Sequence, residues 1–286
     1  MQPTPQSDRN ADQKAYWNGP GGSRWIKRHE SQEVLFAPVN KALFDRARVA
    51  PGERIIDIGC GCGATSIELA RRTGSSGHVL GVDISEPMIA CARELAPAGL
   101  PLAFAVADAT VHPFESGRAD LVFSRFGVMF FADPAPSFAN IRKGLRPGAR
   151  VAFACWREPR QNPWMIVALQ EAYKHVPRLP EIGPDEPGPF AFAREDRVRG
   201  ILRDAGFASI GMEPVDLTFD LGVGRGLDVA VEGALDVGPV SRAIEGQPVE
   251  VQSRVADSIR TAFAAIQKGS AIPLGGAIWI TTAVNP

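Results

Sequence analysis

The chain has 286 residues, a hydrophobic content of 45%, a charged content of 22% and a formal net charge of -1. These values are typical of a globular protein with a sizeable core, and they indicate neither disorder nor an overall attraction to nucleic acid or anionic lipid. No run of about 18 apolar residues occurs, and the polar start at residues 1–10 lacks the features of a secretory signal. We therefore expect a cytoplasmic protein without membrane insertion.

The segment 11–25 places Tyr16, Trp17 and Trp25 among glycines and a proline, outside any periodic pattern. Two interpretations stay open: a flexible lid that closes over a small ligand, and an arm that packs its aromatic side chains on the domain surface. Residues 26–49 then carry apolar residues close to helical spacing, and Pro51 and Gly52 end this pattern.

From Glu53 onward, apolar runs alternate with helical patterns. The runs predict strands at 54–58, 78–82, 102–106, 120–124 and 150–155, and the patterns predict helices at 65–72, 88–95 and 136–143. Such an alternation is typical of a doubly wound, Rossmann-like α/β fold, whose parallel sheet binds its ligand at the carboxyl ends of the strands.

Beyond Trp156 the alternation becomes irregular. We expect helices at 164–175, 194–205, 227–237 and 249–266, and strands at 209–219 and 277–284. The segment 176–189 contains too many prolines for regular structure. The two helical insertions are expected to cap the ligand edge of the sheet.

The stretch after the first strand contains Gly59, Gly61 and Ala64, and Asp83 ends the second strand. This spacing fits a loose dinucleotide-binding pattern and is weakly specific. Asp57 distinguishes a dinucleotide from a cationic ligand without phosphate. A carboxylate at the mouth of the loop disfavours a pyrophosphate and favours the cationic ligand. S-adenosylmethionine is such a ligand.

A set of motifs between Glu53 and Trp156 resembles the class I S-adenosylmethionine-dependent methyltransferases, especially the small-molecule branch that includes quinone-biosynthesis enzymes. The motifs are the stretch 57–63, Asp83, Ala107-Asp108-Ala109 and the turn Arg146-Pro147-Gly148. The resemblance implies a seven-stranded, mostly parallel sheet with an antiparallel last strand beside the fifth. It divides one continuous catalytic domain into an N-terminal helical arm or lid (1–50), a cofactor-binding core (51–156) and a completing segment with substrate-cap insertions (157–286).

The resemblance also assigns roles around S-adenosylmethionine and its product S-adenosylhomocysteine. Asp57 would lie near the methionine end, Asp83 would accept from the ribose hydroxyls, and Asp108 would accept from the adenine amino group. The full implied set is Asp57, Gly59, Gly61, Gly63, Asp83, Ile84, Met88, Asp108, Ala109, Ser124 and Arg125, where Ile84 and Met88 enclose the adenine and the backbone of Ser124 and Arg125 faces the methionine part. Asp83 and Asp108 could instead be helix-capping or turn residues.

Methyl transfer needs alignment of the acceptor and exclusion of water, and a general base only for some acceptors. Tyr16 is our candidate base, ahead of His29 and His175. Phenylalanines and a methionine in the loop 125–131 favour an apolar or aromatic acceptor, although core packing would also explain them. The predicted substrate pocket comprises Trp17, Trp25, Phe126, Met129 and Trp164.

The predicted function is therefore methylation of a small molecule on oxygen, carbon or nitrogen. The alternatives are an NAD(P)-dependent oxidoreductase and a non-catalytic regulatory protein that binds S-adenosylmethionine. Cys60, Cys62, Cys91 and Cys155 lack the spacing of paired metal ligands, so we expect reduced cysteines and no metal. We expect no nucleic-acid partner and a monomer or homodimer.

Overall fold

The computed structural model describes residues 10–181, 183 and 185–286. The predicted polar tail therefore lies outside the described residues up to Arg9, as do two positions of the proline-rich segment 176–189. The rest of that segment contains turns and bends without a helix or strand.

A seven-stranded sheet forms the centre of the protein, with the order β3-β2-β1-β4-β5-β7-β6. Strands β1 to β5 pair in parallel, and β7 runs antiparallel to both β5 and β6. The fold prediction is confirmed, including the antiparallel last strand beside the fifth. The strands are β1 Arg54–Ile58, β2 His78–Asp83, β3 Leu102–Val106, β4 Ala119–Arg125, β5 Leu145–Trp156, β6 Ala208–Asp220 and β7 Pro273–Val284.

Helices pack around this sheet, and several begin with a proline in the first turn, where a missing N–H costs no hydrogen bond. They are α1 Ala11–Asn18, α2 Pro20–Leu35, α3 Ala37–Ala47, α4 Ala64–Thr73, α5 Glu86–Leu95, α6 Pro134–Arg142, α7 Pro163–Ala172, α8 Glu195–Asp204, α9 Leu227–Asp236, α10 Pro239–Ala243 and α11 Val249–Ala264. Two short 3₁₀ turns occupy Gly127–Phe130 and Pro159–Gln161.

The strand register brings the ends of the central strands together. Ile56 of β1 lies opposite Leu80 of β2 on one side and Val122 of β4 on the other. Because the strands are parallel and in register, the loops that follow them leave the sheet side by side at one edge. That edge holds the candidate site.

Two apolar clusters stabilise the fold. The main core packs large buried side chains such as Phe123, Phe138 and Phe153 against the sheet. A second cluster joins the material inserted between β6 and β7 to α7, where Phe263 and Ile259 of α11 and Ala172 of α7 are fully buried. The insertion and α7 therefore share an apolar interior separate from the main core.

The N-terminal segment differs from the flexible, glycine-rich arm that its composition predicts. It is helical, with a break at Gly19 between α1 and α2. Gly21 and Gly22 serve close packing: an added Cβ would lie 2.3 Å from the Tyr16 ring at Gly21 and 2.1 Å from the Trp17 carbonyl oxygen at Gly22. The glycines therefore allow α1 to fold back against α2.

Two further details differ from the predicted elements. The helical pattern over 26–49 is two helices, because Pro38 cannot donate the backbone hydrogen bond that would continue α2 into α3. The short helix α10 was not predicted. Within the described residues, no helix combines the length and apolar character needed to cross a membrane.

Candidate functional site

One cavity of about 510 Å³ lies at the carboxyl ends of the parallel strands. Ile58, Asp83 and Arg125 line it at the ends of β1, β2 and β4, and Trp156 lines it at the end of β5. Helices α1, α2, α7, α9 and α10 form the opposite wall. A cavity of this size is typical of a site for a small organic ligand.

The loop after β1 is built from glycines in left-handed conformations. Gly59, Gly61 and Gly63 have φ angles of +68°, +55° and +84°. A Cβ on Gly59 would lie 2.6 Å from the Cα of Gly127, so the loops after β1 and β4 touch at a point that excludes a side chain. Gly59 and Gly61 line the cavity, whereas Gly63 packs behind the loop against the Phe104 ring.

Asp57 lies beneath this loop and is fully buried. Its Oδ2 atom accepts hydrogen bonds from the hydroxyls of Thr65 (2.7 Å) and Ser66 (2.6 Å), and its Oδ1 atom is enclosed with no hydrogen-bond partner among the described residues. Burial raises the pKa of Asp57 to about 6, although the two hydroxyls oppose this shift. The described lining of the cavity does not include Asp57, so its predicted contact with a methionine group stays a prediction.

Asp83, at the end of β2, joins the loop after β1 to the loop after β2. Its carboxylate accepts from the backbone N–H of Gly61 (2.8 Å) and from that of Ser85 (2.9 Å). Burial raises the pKa of Asp83, although these backbone N–H groups oppose the increase. The carboxylate lines the cavity, and it retains acceptor capacity because an ionised carboxylate has about four lone-pair sites.

Asp108 follows β3 and also lines the cavity. It accepts from the backbone N–H of Thr110 (2.9 Å) and from the side-chain amide of Asn10, whose Nδ2 lies 3.3 Å from both carboxylate oxygens. Asp108 therefore already accepts from a neutral amide, the kind of N–H donor that the resemblance assigns to it. Ala109 lies beside it in the lining.

Ile84 and Met88 border the same end of the cavity. A Cβ on Gly61 would lie 3.7 Å from Met88 Sδ and 3.6 Å from Trp25 Nε1, so both side chains stand against the glycine loop. The Asn18 amide donates to the Ile84 carbonyl (3.0 Å), which fixes the end of α1 on this loop.

Ser124 and Arg125 have side-chain roles that the sequence did not indicate. The Ser124 hydroxyl donates to the Ile58 carbonyl (2.8 Å), which links β4 to β1. Arg125 forms a two-point ion pair with Glu33 of α2, at 2.7 and 2.5 Å, and donates to Asn40 (2.9 Å). Although burial opposes it, attraction to Arg125 holds the pKa of Glu33 below its ordinary value. Arg125 lines the cavity and Ser124 does not.

An aromatic cluster forms the other end of the cavity. Phe126 stacks on Trp156 with ring centroids 4.1 Å apart, and Phe36 contacts both rings and Trp164. All the residues predicted for the substrate pocket line the cavity, namely Trp17, Trp25, Phe126, Met129 and Trp164.

Phe36 and Trp156 were missed by the sequence analysis. Trp156 could have been predicted from its position at the end of β5, because residues at the ends of the other parallel strands were already chosen as candidates for this reason. Phe36 gave no such signal, since only the packing of α2 brings it to the cavity.

Of the candidate bases, Tyr16 lies in the described lining of the cavity, whereas His29 and His175 do not. His29 Nδ1 lies 2.8 Å from the Ile26 carbonyl within α2. The geometry therefore leaves Tyr16 as the candidate, and its role stays a prediction.

The wall formed by α2 and the β6–β7 insertion is held by charged pairs that the sequence gave no means to predict. Arg28 of α2 donates from Nε to Asp236 of α9 (2.7 Å) and forms an ion pair with Glu232 (3.3 Å). Arg24 forms an ion pair with Glu245 (3.3 Å). Basic residues of α2 therefore face acidic residues of the insertion across the outer side of the cavity.

Comparisons with known proteins agree with this geometry. Residues 55–148 match a family described as Methyltransferase domain. The chain is 38% identical over 121 residues to aklanonic acid methyltransferase DauC of Streptomyces sp. strain C5, covering 42% of this chain and 55% of that protein. It is 30% identical over 190 residues to nocamycin O-methyltransferase of Saccharothrix syringae, covering 62% of this chain and 66% of that protein.

A third relative is the ubiquinone/menaquinone biosynthesis C-methyltransferase UbiE of Bordetella parapertussis, at 33% identity over 178 residues, covering 56% of this chain and 66% of that protein. The chain thus spans just over half to slightly less than two thirds of the length of these three relatives.

Solved structures show the same fold at low sequence identity. The YcgJ protein of Bacillus subtilis superposes with a TM-score of 0.56 at 14% identity, covering 86% of this chain and 97% of that one. Phosphoethanolamine N-methyltransferase 2 of Haemonchus contortus, solved with S-adenosyl-L-methionine, gives 0.53 at 20% identity, covering 87% of this chain and 52% of that one. Residues 55–148 therefore match a methyltransferase domain, the chain is similar in sequence to S-adenosylmethionine-type methyltransferases over part of their length, and it shares its fold with the solved structures named above.

Proposed function

We propose that the protein transfers a methyl group from S-adenosylmethionine to oxygen, carbon or nitrogen of a small, largely apolar or aromatic molecule. The observation that carries this proposal is the two-ended cavity, which joins the glycine loop and its carboxylates to an aromatic chamber. The methyltransferase relatives named above support the same activity.

The residues at the first end fit the cofactor. Asp83 and Asp108 line the cavity at the ends of adjacent strands, and both keep acceptor capacity for hydroxyl or amino donors. Asp12 lines the same cavity, so three carboxylates would face a pyrophosphate and repel it. We therefore assign this end to a cationic adenosine cofactor rather than to a dinucleotide.

The proposed cofactor contacts are those implied by the resemblance. Gly59, Gly61, Asp83, Ile84, Met88, Asp108, Ala109 and Arg125 are the members of this set that line the cavity. Asp57, Gly63 and Ser124 would act from behind the lining, by holding the loop and by contributing charge.

When bound, the cofactor would supply a methyl carbon on a positively charged sulfur, which would keep the electron pair of the C–S bond as the methyl group goes to the acceptor. The protein contributes alignment and a dry chamber, because effective displacement requires the acceptor in line with the breaking bond. Phe36, Phe126 and Trp156 would hold a flat acceptor on their rings. Tyr16 would relay the proton where the acceptor must lose one, by passing its own phenolic proton on to water as it accepts that of the acceptor.

We further propose that α1, α2 and the β6–β7 insertion act together as the cover of the chamber, and that the ion pair between Arg28 and Asp236 holds this cover closed. The support for this is their position on the wall opposite the sheet and the ion pair between Arg28 of α2 and Asp236 of the insertion. The division of the chain into arm, core and completing segment stays a proposal of the same kind.

Isothermal titration calorimetry tests the cofactor assignment. The wild-type protein should bind S-adenosylmethionine and S-adenosylhomocysteine, and Asp83→Ala should weaken binding by at least about tenfold, since it removes charge-assisted hydrogen bonds. Asp45→Ala, on the exposed face of α3, is the matched control and should bind normally. Binding of NAD in place of both ligands would refute the proposal.

Activity is tested separately from binding. The protein is incubated with a small-molecule metabolite extract and cofactor labelled at the methyl group, and products are analysed by mass spectrometry. A labelled product identifies the acceptor. If the cofactor binds and no molecule of any extract acquires label, the protein is a non-catalytic binder and the catalytic part of the proposal is wrong.

A further inference from the structure

One face of α2 forms a continuous strip of the cavity wall. The lining residues recur at intervals of three and four, which is the spacing of a single helix face. They are Gly21, Arg24, Trp25, Arg28, Ser31, Gln32 and Leu35, and Phe36, directly after the helix, continues the strip. This strip changes along its length, from charged residues beside the insertion to the aromatic cluster at Phe36.

Gln32 is the unusual member of the strip. Its side chain is 6% exposed, and its Oε1 atom is enclosed without a hydrogen-bond partner among the described residues. No described residue accepts a hydrogen bond from its Nε2 atom either. Buried polar groups are nearly always hydrogen-bonded, because leaving one unpaired is costly, so an unpaired amide in a cavity wall requires an explanation.

The neighbouring polar residues of the strip already have partners. Arg28, one turn before Gln32, is held by Asp236 and Glu232, and Arg24 is held by Glu245. Ser31 accepts a hydrogen bond from Arg225 (2.6 Å). The unsatisfied hydrogen-bonding capacity of this face therefore lies in the uncharged amide of Gln32.

The residue one turn after Gln32 is Phe36, which contacts the rings of Phe126, Trp156 and Trp164. A ligand that lies on these rings would have its edge within a helical turn of the amide. The only other lining residue with an enclosed, unpartnered polar atom in the described chain is Asn10, and its amide is already bonded to Asp108 at the opposite end.

We propose that Gln32 determines acceptor specificity by accepting a hydrogen bond from a hydroxyl or N–H group on an aromatic acceptor, an inference that rests on the proposed function. The acceptor is then a flat, apolar ring system that carries at least one hydrogen-bond donor. Gln32 binds and orients this molecule; an uncharged amide takes no proton from it.

The test compares probes that differ only in a donor group. The affinities of 1-naphthol and 2-naphthol are measured against 1-methylnaphthalene and 2-methylnaphthalene by ligand-observed NMR titration, with the protein saturated with S-adenosylhomocysteine. The variants are Gln32→Met, which keeps the unbranched shape without the amide, and the control Gln252→Met on α11, whose amide bonds the Gln247 carbonyl.

We expect the naphthol-to-methylnaphthalene affinity ratio to fall by about 3- to 10-fold in Gln32→Met for at least one pair, as the loss of one hydrogen bond requires. The control should keep the wild-type ratio. Gln32→Met should also bind S-adenosylhomocysteine with wild-type affinity and melt at no lower temperature, because it removes an unpaired polar group.

An unchanged ratio in Gln32→Met, or the failure of every probe to bind, would overturn the role of Gln32 while leaving the cofactor assignment intact. Loss of S-adenosylhomocysteine affinity in Gln32→Met would instead place the residue on the cofactor, and a markedly lower melting temperature would make it structural. Failure of the wild-type protein to bind either cofactor form refutes the proposed function itself.

Discussion

The substitution Asp57→Asn should make the protein more stable at neutral pH. Asp57 is fully buried, and burial raises its pKa to about 6 from an ordinary value of 3.8. The folded state therefore holds the proton more tightly than the unfolded state, so stability falls as pH rises between these two values. The pKa difference corresponds to about 3 kcal/mol of unfolding free energy.

Asparagine has no charge to bury and can still accept from Thr65 and Ser66. Below about pH 4 both folded proteins carry an uncharged side chain at this position. Above about pH 6 only the wild type buries a charged carboxylate, which lowers its unfolding free energy. The unfolding free energy of the variant minus that of the wild type should thus rise by about 3 kcal/mol in total, most of it between about pH 4 and pH 7.

Urea unfolding followed by circular dichroism at a series of pH values measures this difference, and all other titrating groups cancel because both proteins contain them. Asp45→Asn is the control: that carboxylate is exposed, and a hydrogen bond from Lys41 lowers its pKa, so its curve should show no such rise. A difference that stays flat from pH 4 to pH 7 for Asp57→Asn would refute the reasoning. The same variant should bind S-adenosylmethionine more weakly at neutral pH if the charge of Asp57 attracts the cofactor.

The remaining predictions concern the loop, the cover and its aromatic residues. Gly59→Ala should lower the unfolding free energy by about 2 kcal/mol or more, because Gly59 has a positive φ and an added Cβ would clash with the loop after β4. The control Gly200→Ala in α8, where an added Cβ meets nothing, should raise the unfolding free energy by about 0.5–1 kcal/mol. Equal effects of the two substitutions in chemical denaturation would contradict this reasoning. A double-mutant cycle of Arg28→Ala and Asp236→Ala should give a coupling free energy of about 1 kcal/mol in the same assay. Additive effects of the two substitutions would show that this ion pair contributes nothing to the unfolding free energy. Tryptophan fluorescence should change on addition of S-adenosylmethionine and the change should be lost in Trp25→Phe, because the indole borders the glycine loop; an identical change in that variant would remove Trp25 from the cofactor end.

The sequence by itself determined the half of the cavity at the strand ends, which we assign to the cofactor. The strands, the glycine loop and the acids that end β2 and β3 are adjacent in the chain, and the parallel register then brings them to one edge of the sheet. Residues such as Asp83 could be identified for this reason, since local pattern and sheet geometry together fix their positions.

Other features of the site depend on contacts between distant parts of the chain. Glycine content predicted a flexible arm, yet Gly21 and Gly22 are there because α1 packs closely against α2. The burial of Asp57, which decides its pKa, likewise follows from its neighbours and not from its position before the loop.

Only the tertiary structure decided the other half of the cavity, which we assign to the acceptor. Gln32 lies on α2 and Phe36 directly follows it, and Phe36 meets Phe126, Trp156 and Trp164, which come from three other parts of the chain. Helical periodicity indicates that α2 has one buried face, but not what that face meets, because packing direction is set by long-range contacts that leave no local pattern. The half of the cavity at the strand ends can thus be predicted from the sequence, whereas the other half depends on how two helical segments close over those strand ends.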